Sequence, residues 1–243
     1  ILSNTDNELI LDDAWELDPK DGSEILIYIG GLPQNQTDGV LRDAHRLLSV
    51  NGDLGTGDII NSHDGDDVVI GGAGSDDIDA GADDNLVFGD NAELLATAVD
   101  GQAAEEGAPL TWAHLNTILP DVGARDVIAS ASGDDIVFGG TGGDEITIVG
   151  GNNIVLGDLG VIDYTTADAD PSDIDEIYST ETATGGVDTI TTGSGSDIVI
   201  GGMAGDTINV DNGYNLVIGD NGAITAAAAS DYQTLPGQSL TIG

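Results

Sequence analysis

Apolar residues recur through much of this chain at intervals of nine. Twelve positions in three groups of four hold only isoleucine or valine, and glycine-rich stretches separate them. Side chains alternate faces along a strand, so the central residue of a three-residue strand points inward while its two neighbours point outward. Each nine-residue unit is therefore predicted to be a six-residue turn followed by a short strand. The inward positions are Ile60, Val69, Ile78, Val87, Ile128, Val137, Ile146, Val155, Ile190, Val199, Ile208 and Val217.

A second pattern lies in the residues that flank these inward positions. In the first and third units of each group the flanks are mostly polar, as at Asp77 and Asp79, whereas in the second and fourth they are apolar, as at Leu86 and Phe88. Alternate units would share a sheet, so one sheet should face water and the other should be apolar on both faces. Such a sheet needs a cover. Either the segments between the groups fold back over it, which is the simpler explanation, or another chain or copy packs there.

Each predicted turn ends in an acidic or amide residue placed two positions before the inward apolar residue. Glycines let a turn reach positive φ and leave carbonyl oxygens uncovered, and the closing Asp adds a carboxylate. Hard oxygen donors of both kinds are preferred by Ca²⁺, and twelve turns in register argue against glycine and Asp serving only to tighten turns. The predicted ligands that close turns are Asp58, Asp67, Asp76, Asn85, Asp126, Asp135, Asp144, Asn153, Asp188, Asp197, Asp206 and Asn215. Further candidates are the Gly-Asp carboxylates Asp90, Asp158 and Asp220 and the carbonyl groups of Gly71, Gly74, Gly139, Gly142 and Gly201.

These turns resemble the calcium-binding nonapeptide of the RTX (repeats-in-toxin) family. Residues 139–147 match its Gly-Gly-x-Gly-x-Asp-x-apolar-x pattern, and residues 201–209 depart from it only at Ala204. The turn at 62–67 lacks the leading glycine pair, and the fourth turn of each group ends in Asn, so weaker sites or other ligands are expected there. The resemblance implies an all-β, right-handed parallel β-roll or β-solenoid that binds several Ca²⁺ ions. It also implies type I secretion of an unfolded chain that folds on extracellular calcium.

The repeats form a higher-order array. Asp58 and Asp126 are 68 residues apart, and Asp126 and Asp188 are 62 apart. We predict an N-terminal cap or the tail of a preceding module at 1–52, then modules with their insertions at 53–120, 121–182 and 183–243. Short helical or irregular insertions are expected between the rolls. A helix is expected around Trp112, and another after Thr37-Asp38 with Val40, Leu41, Ala44, Leu47 and Leu48 on its apolar face.

Composition limits the functions that remain. Forty-five acidic residues against four Lys and Arg give a formal charge of −41, so the compact state should depend on cations, and nucleic acid lacks the basic cluster it would need. There is no cysteine, and neither an apolar membrane span nor a Sec signal is visible. The start at Ile1 suggests a piece of a longer protein. His63 is expected to face solvent, Trp112 to cover the roll and the basic residues to form surface ion pairs.

No singular catalytic arrangement interrupts the repeats, so we do not expect an enzyme. The array favours a calcium-dependent structural segment of a large bacterial protein that is extracellular or on the cell surface, such as an adhesin, surface-layer component, filament or matrix protein. The alternative is a non-catalytic RTX accessory module of a type I-secreted enzyme or toxin. Other copies of the chain are possible partners through the apolar sheet face.

Overall fold

The computed structural model describes the protein over residues 46–96, 112–166 and 173–226, together with the backbone of 3–5, 8–10, 28–29 and 44–45. Every regular element in these residues is a β-strand, which confirms the all-β prediction. The strands are β1 Ser3–Thr5, β2 Glu8–Ile10, β3 Tyr28–Ile29, β4 Ala44–Leu48, β5 Ile59–Asn61, β6 Val68–Ile70, β7 Asp77–Asp79, β8 Leu86–Phe88, β9 Ala92–Ala96, β10 Trp112–Thr117, β11 Val127–Ser132, β12 Ile136–Phe138, β13 Glu145–Gly150, β14 Ile154–Leu156, β15 Gly160–Asp163, β16 Glu176–Ser179, β17 Thr189–Thr192, β18 Ile198–Ile200, β19 Thr207–Val210, β20 Leu216–Ile218 and β21 Ala223–Thr225.

Two six-stranded parallel sheets contain the predicted three-residue strands. Sheet 1 has the order β5-β7-β11-β13-β17-β19, and sheet 2 has the order β6-β8-β12-β14-β18-β20. Equivalent residues of the repeat are paired across each sheet, as Ile60 is with Ile78 and Val69 with Val87. Both sheets run without interruption past the predicted boundaries at 120/121 and 182/183. In sheet 1, β7 pairs with β11 and β13 with β17; in sheet 2, β8 pairs with β12 and β14 with β18.

The inward residues of sheets 1 and 2 form one apolar core. Nine of the twelve are buried in it, Ile60 and Ile208 pack against it, and Val217 in the last strand of sheet 2 is 41% exposed. Burying a side chain of this size stabilises the fold by roughly 1.5–3 kcal/mol. On the outer face of sheet 1, Asp77, Asp79, Glu145, Thr147 and Thr207 are exposed. The prediction of one solvated sheet is therefore confirmed.

A third, antiparallel sheet covers the outer face of sheet 2. Sheet 3 has the order β3-β4-β9-β10-β15-β16-β21. Its four central strands after β4 come from the two insertions between the nonapeptide groups, β3 and β4 precede the first group, and β21 follows the third. Leu94, Leu115, Ile162 and Ile177 of this sheet belong to the same buried cluster as the outward side chains of sheet 2. In that cluster the rings of Phe88 and Phe138 stack, with centroids 4.5 Å apart. The cover therefore comes from the chain's own insertions, as the simpler explanation held.

The two predicted helices are wrong where the structure describes them. Residues 112–117 form β10, which pairs with β9 on one side and β15 on the other. Residues 44–48, which include Ala44, Leu47 and Leu48, form β4 beside β9. The long apolar face of sheet 2 favours a flat cover in which neighbouring strands satisfy each other's backbone groups, and this tertiary demand overrides a weak helical pattern. Thr37, Asp38, Val40 and Leu41 lie outside the described residues.

No helix in the described part of the chain is long and apolar enough to cross a membrane. Trp112 packs against the cluster between sheets 2 and 3, which confirms its covering role. Arg46 pairs with Glu93 at 2.5 Å, and Arg125 pairs with Glu145 at 2.6 Å, both at exposed or half-exposed positions. His114, for which the sequence suggested no partner at metal spacing, lies 3.0 Å from Asp163 through its Nδ1.

Candidate metal centre

The residues that close the nonapeptide turns form two columns, one before the strands of sheet 1 and one before the strands of sheet 2. The side of the molecule on which each column lies is called its edge. The first column precedes the strands of sheet 1, contains only aspartates and is called the Asp column; the second precedes the strands of sheet 2 and is called the Asp/Asn column. The Asp column consists of Asp58, Asp76, Asp126, Asp144, Asp188 and Asp206. The Asp/Asn column consists of Asp67, Asn85, Asp135, Asn153, Asp197 and Asn215. The twelve predicted closing residues are thus divided into two chemically different sets.

Hydrogen bonds join the Asp column from one turn to the next. The backbone N–H of Asp126 donates to Oδ1 of Asp144 at 2.8 Å, and the N–H of Asp144 donates to Oδ1 of Asp188 at 2.7 Å. The same bond joins the remaining neighbours of the column, at 2.6 to 2.9 Å. Each carboxylate except that of Asp58 therefore uses one oxygen to fix the preceding turn.

The second oxygen of these carboxylates has no hydrogen-bond partner. Within the described residues, Oδ2 is buried and unpartnered in Asp76, Asp126, Asp144, Asp188 and Asp206. Leaving a buried polar atom unpartnered costs about 1–3 kcal/mol, and more when the group is charged. Five such oxygens in one column form a buried site that protons or a cation would satisfy.

Main-chain carbonyl oxygens lie next to these unpartnered carboxylate oxygens. A Cβ on the leading glycine of a turn would meet both the Oδ2 that closes the same turn and the carbonyl oxygen of the next leading glycine. At Gly139, for example, these two atoms are Oδ2 of Asp144 and the carbonyl oxygen of Gly157. The same arrangement recurs at Gly71, Gly89, Gly157 and Gly201. The column is therefore lined by carboxylate and carbonyl oxygens, and the leading residues must be glycine.

The pKa values of the column aspartates also show that their negative charge is poorly stabilised. Burial, together with repulsion from neighbouring carboxylates, raises the pKa of Asp126 and Asp188 to about 7 and that of Asp144 to about 8. Burial also raises the pKa of Asp76. A buried carboxylate among like charges takes up a proton or binds a cation, because the isolated anion is poorly solvated.

Amide groups satisfy much of the Asp/Asn column. Backbone N–H groups donate along it at 2.9 to 3.2 Å, as in the Asp column. In addition, Nδ2 of Asn85 donates to Oδ1 of Asp135 at 3.1 Å, and Nδ2 of Asn153 donates to Oδ1 of Asp197 at 2.9 Å. Oδ2 of Asp197 accepts from Thr192 Oγ1 at 2.8 Å, while Oδ2 of Asp67 and Asp135 stays buried without a partner. Burial raises the pKa of Asp135.

The three Gly-Asp aspartates are in two different environments. Asp90 and Asp158 are 2% and 3% exposed, and each lies next to the Asp column, where it interacts with the carboxylates of that column. Burial raises the pKa of Asp90 to about 8 and that of Asp158 to about 6. Asp220, at the equivalent place after β20, is exposed.

The predicted carbonyl residues occupy turns on the Asp-column edge. Gly74 and Gly142 have φ of 119° and 131°, in the region that favours glycine, so their role in shaping the turn is confirmed. Ala204 occupies the same place in its turn with φ 86°. His63 is exposed in the turn before β6, as expected, with φ 70°.

One polar ladder was missed by the sequence reasoning. The N–H of Asp134 donates to Oδ1 of Asp84 at 2.7 Å, and the N–H of Asn152 donates to Oδ1 of Asp134 at 2.7 Å. Asp66 and Ser196 extend this exposed ladder at its two ends. In the sequence this ladder is indicated by two consecutive polar residues at the end of each of these turns, as in Asp66-Asp67 and Asn152-Asn153. The leading glycines Gly89 and Gly157 were also missed as site residues, although each precedes a predicted Asp.

The oxygen donors of the Asp column fit a hard cation such as Ca²⁺. Among the residues that the structure describes, no three His, Cys, Asp or Glu side chains are grouped so that they could hold a metal ion by themselves. An ion at this edge would therefore be held by successive column carboxylates together with carbonyl groups of the leading glycines. No family model matches the chain, and no curated protein or solved structure was found to be similar to it.

Proposed function

We propose that this chain is a calcium-dependent structural segment of a large secreted or cell-surface bacterial protein, with its two parallel sheets wound as a calcium-binding β-roll of the RTX type. The observation that carries the proposal is the column of buried, unpartnered Oδ2 atoms at Asp76, Asp126, Asp144, Asp188 and Asp206. The adjacent carbonyl oxygens and the formal charge of −41 support it.

In this proposal Ca²⁺ supplies charge neutralisation and cross-linking, not chemistry on a substrate. The column aspartates hold the ion and align successive turns, because each one also binds the backbone of the preceding turn through Oδ1. Binding free energy becomes folding free energy when the site is not formed in the unfolded chain. A secreted protein can thereby remain extended where calcium is scarce and fold where it is abundant.

A structural role is supported by the way the groups of repeats join. Sheets 1 and 2 pass from one group to the next without a break, and sheet 3 uses both insertions between the groups as cover. A continuous stiff array suits an adhesin, surface layer, filament or matrix component, in which length and rigidity are the useful properties.

The test is a calcium titration of the full chain. Circular dichroism should show β structure that is lost on chelation with EGTA and returns when Ca²⁺ is restored in excess, while calorimetry counts several bound ions. A matched titration with Mg²⁺ controls for ionic strength, because Mg²⁺ requires a tighter octahedral site. An unchanged β signal in excess EGTA would refute the proposal.

A further inference from the structure

Both insertions between the nonapeptide groups interrupt a turn on the Asp-column edge. The first turn begins at Gly89-Asp90, leaves for β9 and β10, and resumes at Gly123 to close at Asp126. The second begins at Gly157-Asp158, leaves for β15 and β16, and resumes at Gly185 to close at Asp188. Asp90 and Asp158 therefore stand where the chain departs from the parallel sheets to build their cover.

Each of these aspartates holds three chain segments together. The carboxylate of Asp90 accepts from the backbone N–H of Thr141, in the next turn, and lies against Gly123, where the insertion returns. The carboxylate of Asp158 accepts from the backbone N–H of Met203, in the next turn. It also accepts from the backbone N–H of Gly186, where the second insertion returns, at 2.9 Å. Gly123 and Gly140 leave no room for a Cβ beside Asp90, nor do Gly185 and Gly202 beside Asp158. The repeated arrangement fastens both ends of each insertion.

The positions of Asp90 and Asp158 are electrostatically unfavourable without a nearby cation. Oδ1 of Asp90 is buried without a hydrogen-bond partner, and Asp126 and Asp144 act on this group as like charges. Asp158 faces the like charge of Asp206 and in turn acts on Asp144 and Asp188. Positive charge in the Asp column would relieve this repulsion, because charges act strongly on one another at short range in a partly buried site.

We infer that Asp90 and Asp158 couple the packing of sheet 3 on sheet 2 to cation binding in the Asp column. We call these two residues the clasps. This inference rests on the proposed function. When the column is empty, repulsion releases the clasps and the insertion strands separate from the apolar outer face of sheet 2. When it is filled, the clasps close and the face around Phe88 and Phe138 is buried. In this inference calcium controls the exposure of the apolar outer face of sheet 2 as well as the folding of the repeats.

Hydrogen exchange read by mass spectrometry tests this coupling on the full chain across a calcium titration. In Asp90→Ala at saturating Ca²⁺, amides of β9 and β10 should exchange about ten-fold faster or more, while those of β7 and β11 keep their protection. Asp90→Asn keeps an acceptor oxygen but removes the charge, so β9 and β10 should gain protection at a lower calcium concentration than in the unaltered chain. Asp158→Ala should act on β15 and β16 more than on β9 and β10.

Asp121→Ala is the matched control, because Asp121 lies in the same insertion close to Gly123 but is exposed. It should leave the exchange of β9 and β10 unchanged. If Asp90→Ala behaves like Asp121→Ala while β7 and β11 still respond to calcium, the clasp is overturned and the proposed function stands. If the unaltered chain shows no calcium response in any strand, both are overturned.

Discussion

The two edges of the parallel sheets have the same backbone ladder but different side-chain chemistry. Along both, an N–H of one turn donates to Oδ1 of the next, at 2.6 to 2.9 Å in the Asp column and 2.9 to 3.2 Å in the Asp/Asn column. The Asp column places six carboxylates in succession, whereas in the other column a neutral amide separates each carboxylate from the next. The two columns thus share one pattern of backbone hydrogen bonds but differ greatly in charge.

The two columns therefore differ in how their carboxylates are stabilised. In the Asp/Asn column, Asn85 and Asn153 donate to the neighbouring carboxylates, so part of the charge is satisfied within the chain. In the Asp column, successive carboxylates repel one another, and five Oδ2 atoms have no donor. We therefore expect the Asp column to depend on cations or protons and the Asp/Asn column to depend on them less.

The largest expected effect is on the pH dependence of stability without metal. Burial raises the pKa of Asp90, Asp126, Asp144, Asp158 and Asp188 to between about 6 and about 8, from an ordinary value of 3.8. The folded protein then binds these protons more tightly than the unfolded chain. Their contribution to stability is complete below pH 3.8 and is lost as the pH rises through the folded-state values.

Thermal unfolding in metal-free buffer should therefore show a melting temperature that falls from pH 4 to above pH 8. Saturating calcium should remove most of this decline, because the cation replaces the protons. A melting temperature that rises over the same range without metal would show that the column carboxylates are not the controlling groups.

The next effect is the loss of one column carboxylate. Asp144→Ala should lower the free energy of unfolding in calcium by about 3–5 kcal/mol, the cost of breaking a buried charge pairing. It also leaves the N–H of Asp126 without its acceptor. Chemical denaturation at fixed calcium measures the loss, and calorimetry should show weaker calcium binding.

Asp77→Ala is the control for this substitution, since Asp77 is exposed on the outer face of sheet 1. It should change stability by no more than about 0.5 kcal/mol. Equal losses for the two variants would mean that the face assigned to each residue is incorrect.

A smaller effect should follow from making the second column resemble the first. Asn153→Asp removes the amide that donates to Asp197 Oδ1 and to the carbonyl oxygen of Gly151, and it places a carboxylate between two others. Stability at neutral pH without calcium should fall by about 1–3 kcal/mol. Added calcium should restore more stability to this variant than to the unaltered chain, as denaturation with and without EGTA would show. An equal gain in both would argue against the contrast between the columns.

The smallest predicted change concerns a turn on the Asp-column edge. Ala204 has φ 86° at a place where Gly74 and Gly142 are found. Ala204→Gly should relieve backbone strain and stabilise the protein by up to about 1 kcal/mol, after allowing for the greater freedom of glycine in the unfolded chain. Gly142→Ala introduces positive-φ strain, and its Cβ would also clash with the backbone of Ala124, so it should lower the melting temperature by more than Ala204→Gly raises it.

Most of the repeat could be predicted because it is local. The spacing of Ile78 and Val87 fixed which residues point inward, and the apolar flanks Leu86 and Phe88 identified the sheet that needs a cover. The insertions could not be assigned from periodicity. The segment around Trp112 carries a pattern open to either helix or strand, and its partners β9 and β15 lie far from it in sequence.

The sequence alone determined the nine-residue unit, the Asp or Asn at the end of each turn and the large excess of negative charge, since these depend on residue type and short-range geometry. Only the tertiary structure decided that backbone N–H groups join each column from turn to turn and that five Oδ2 atoms of the Asp column are buried without a partner. It also decided that the insertions become a third sheet and that Asp90 and Asp158 lie beside the Asp column while Asp220 does not. The physical reason is that backbone pairing and charge repulsion act between residues that are distant along the chain and adjacent in space.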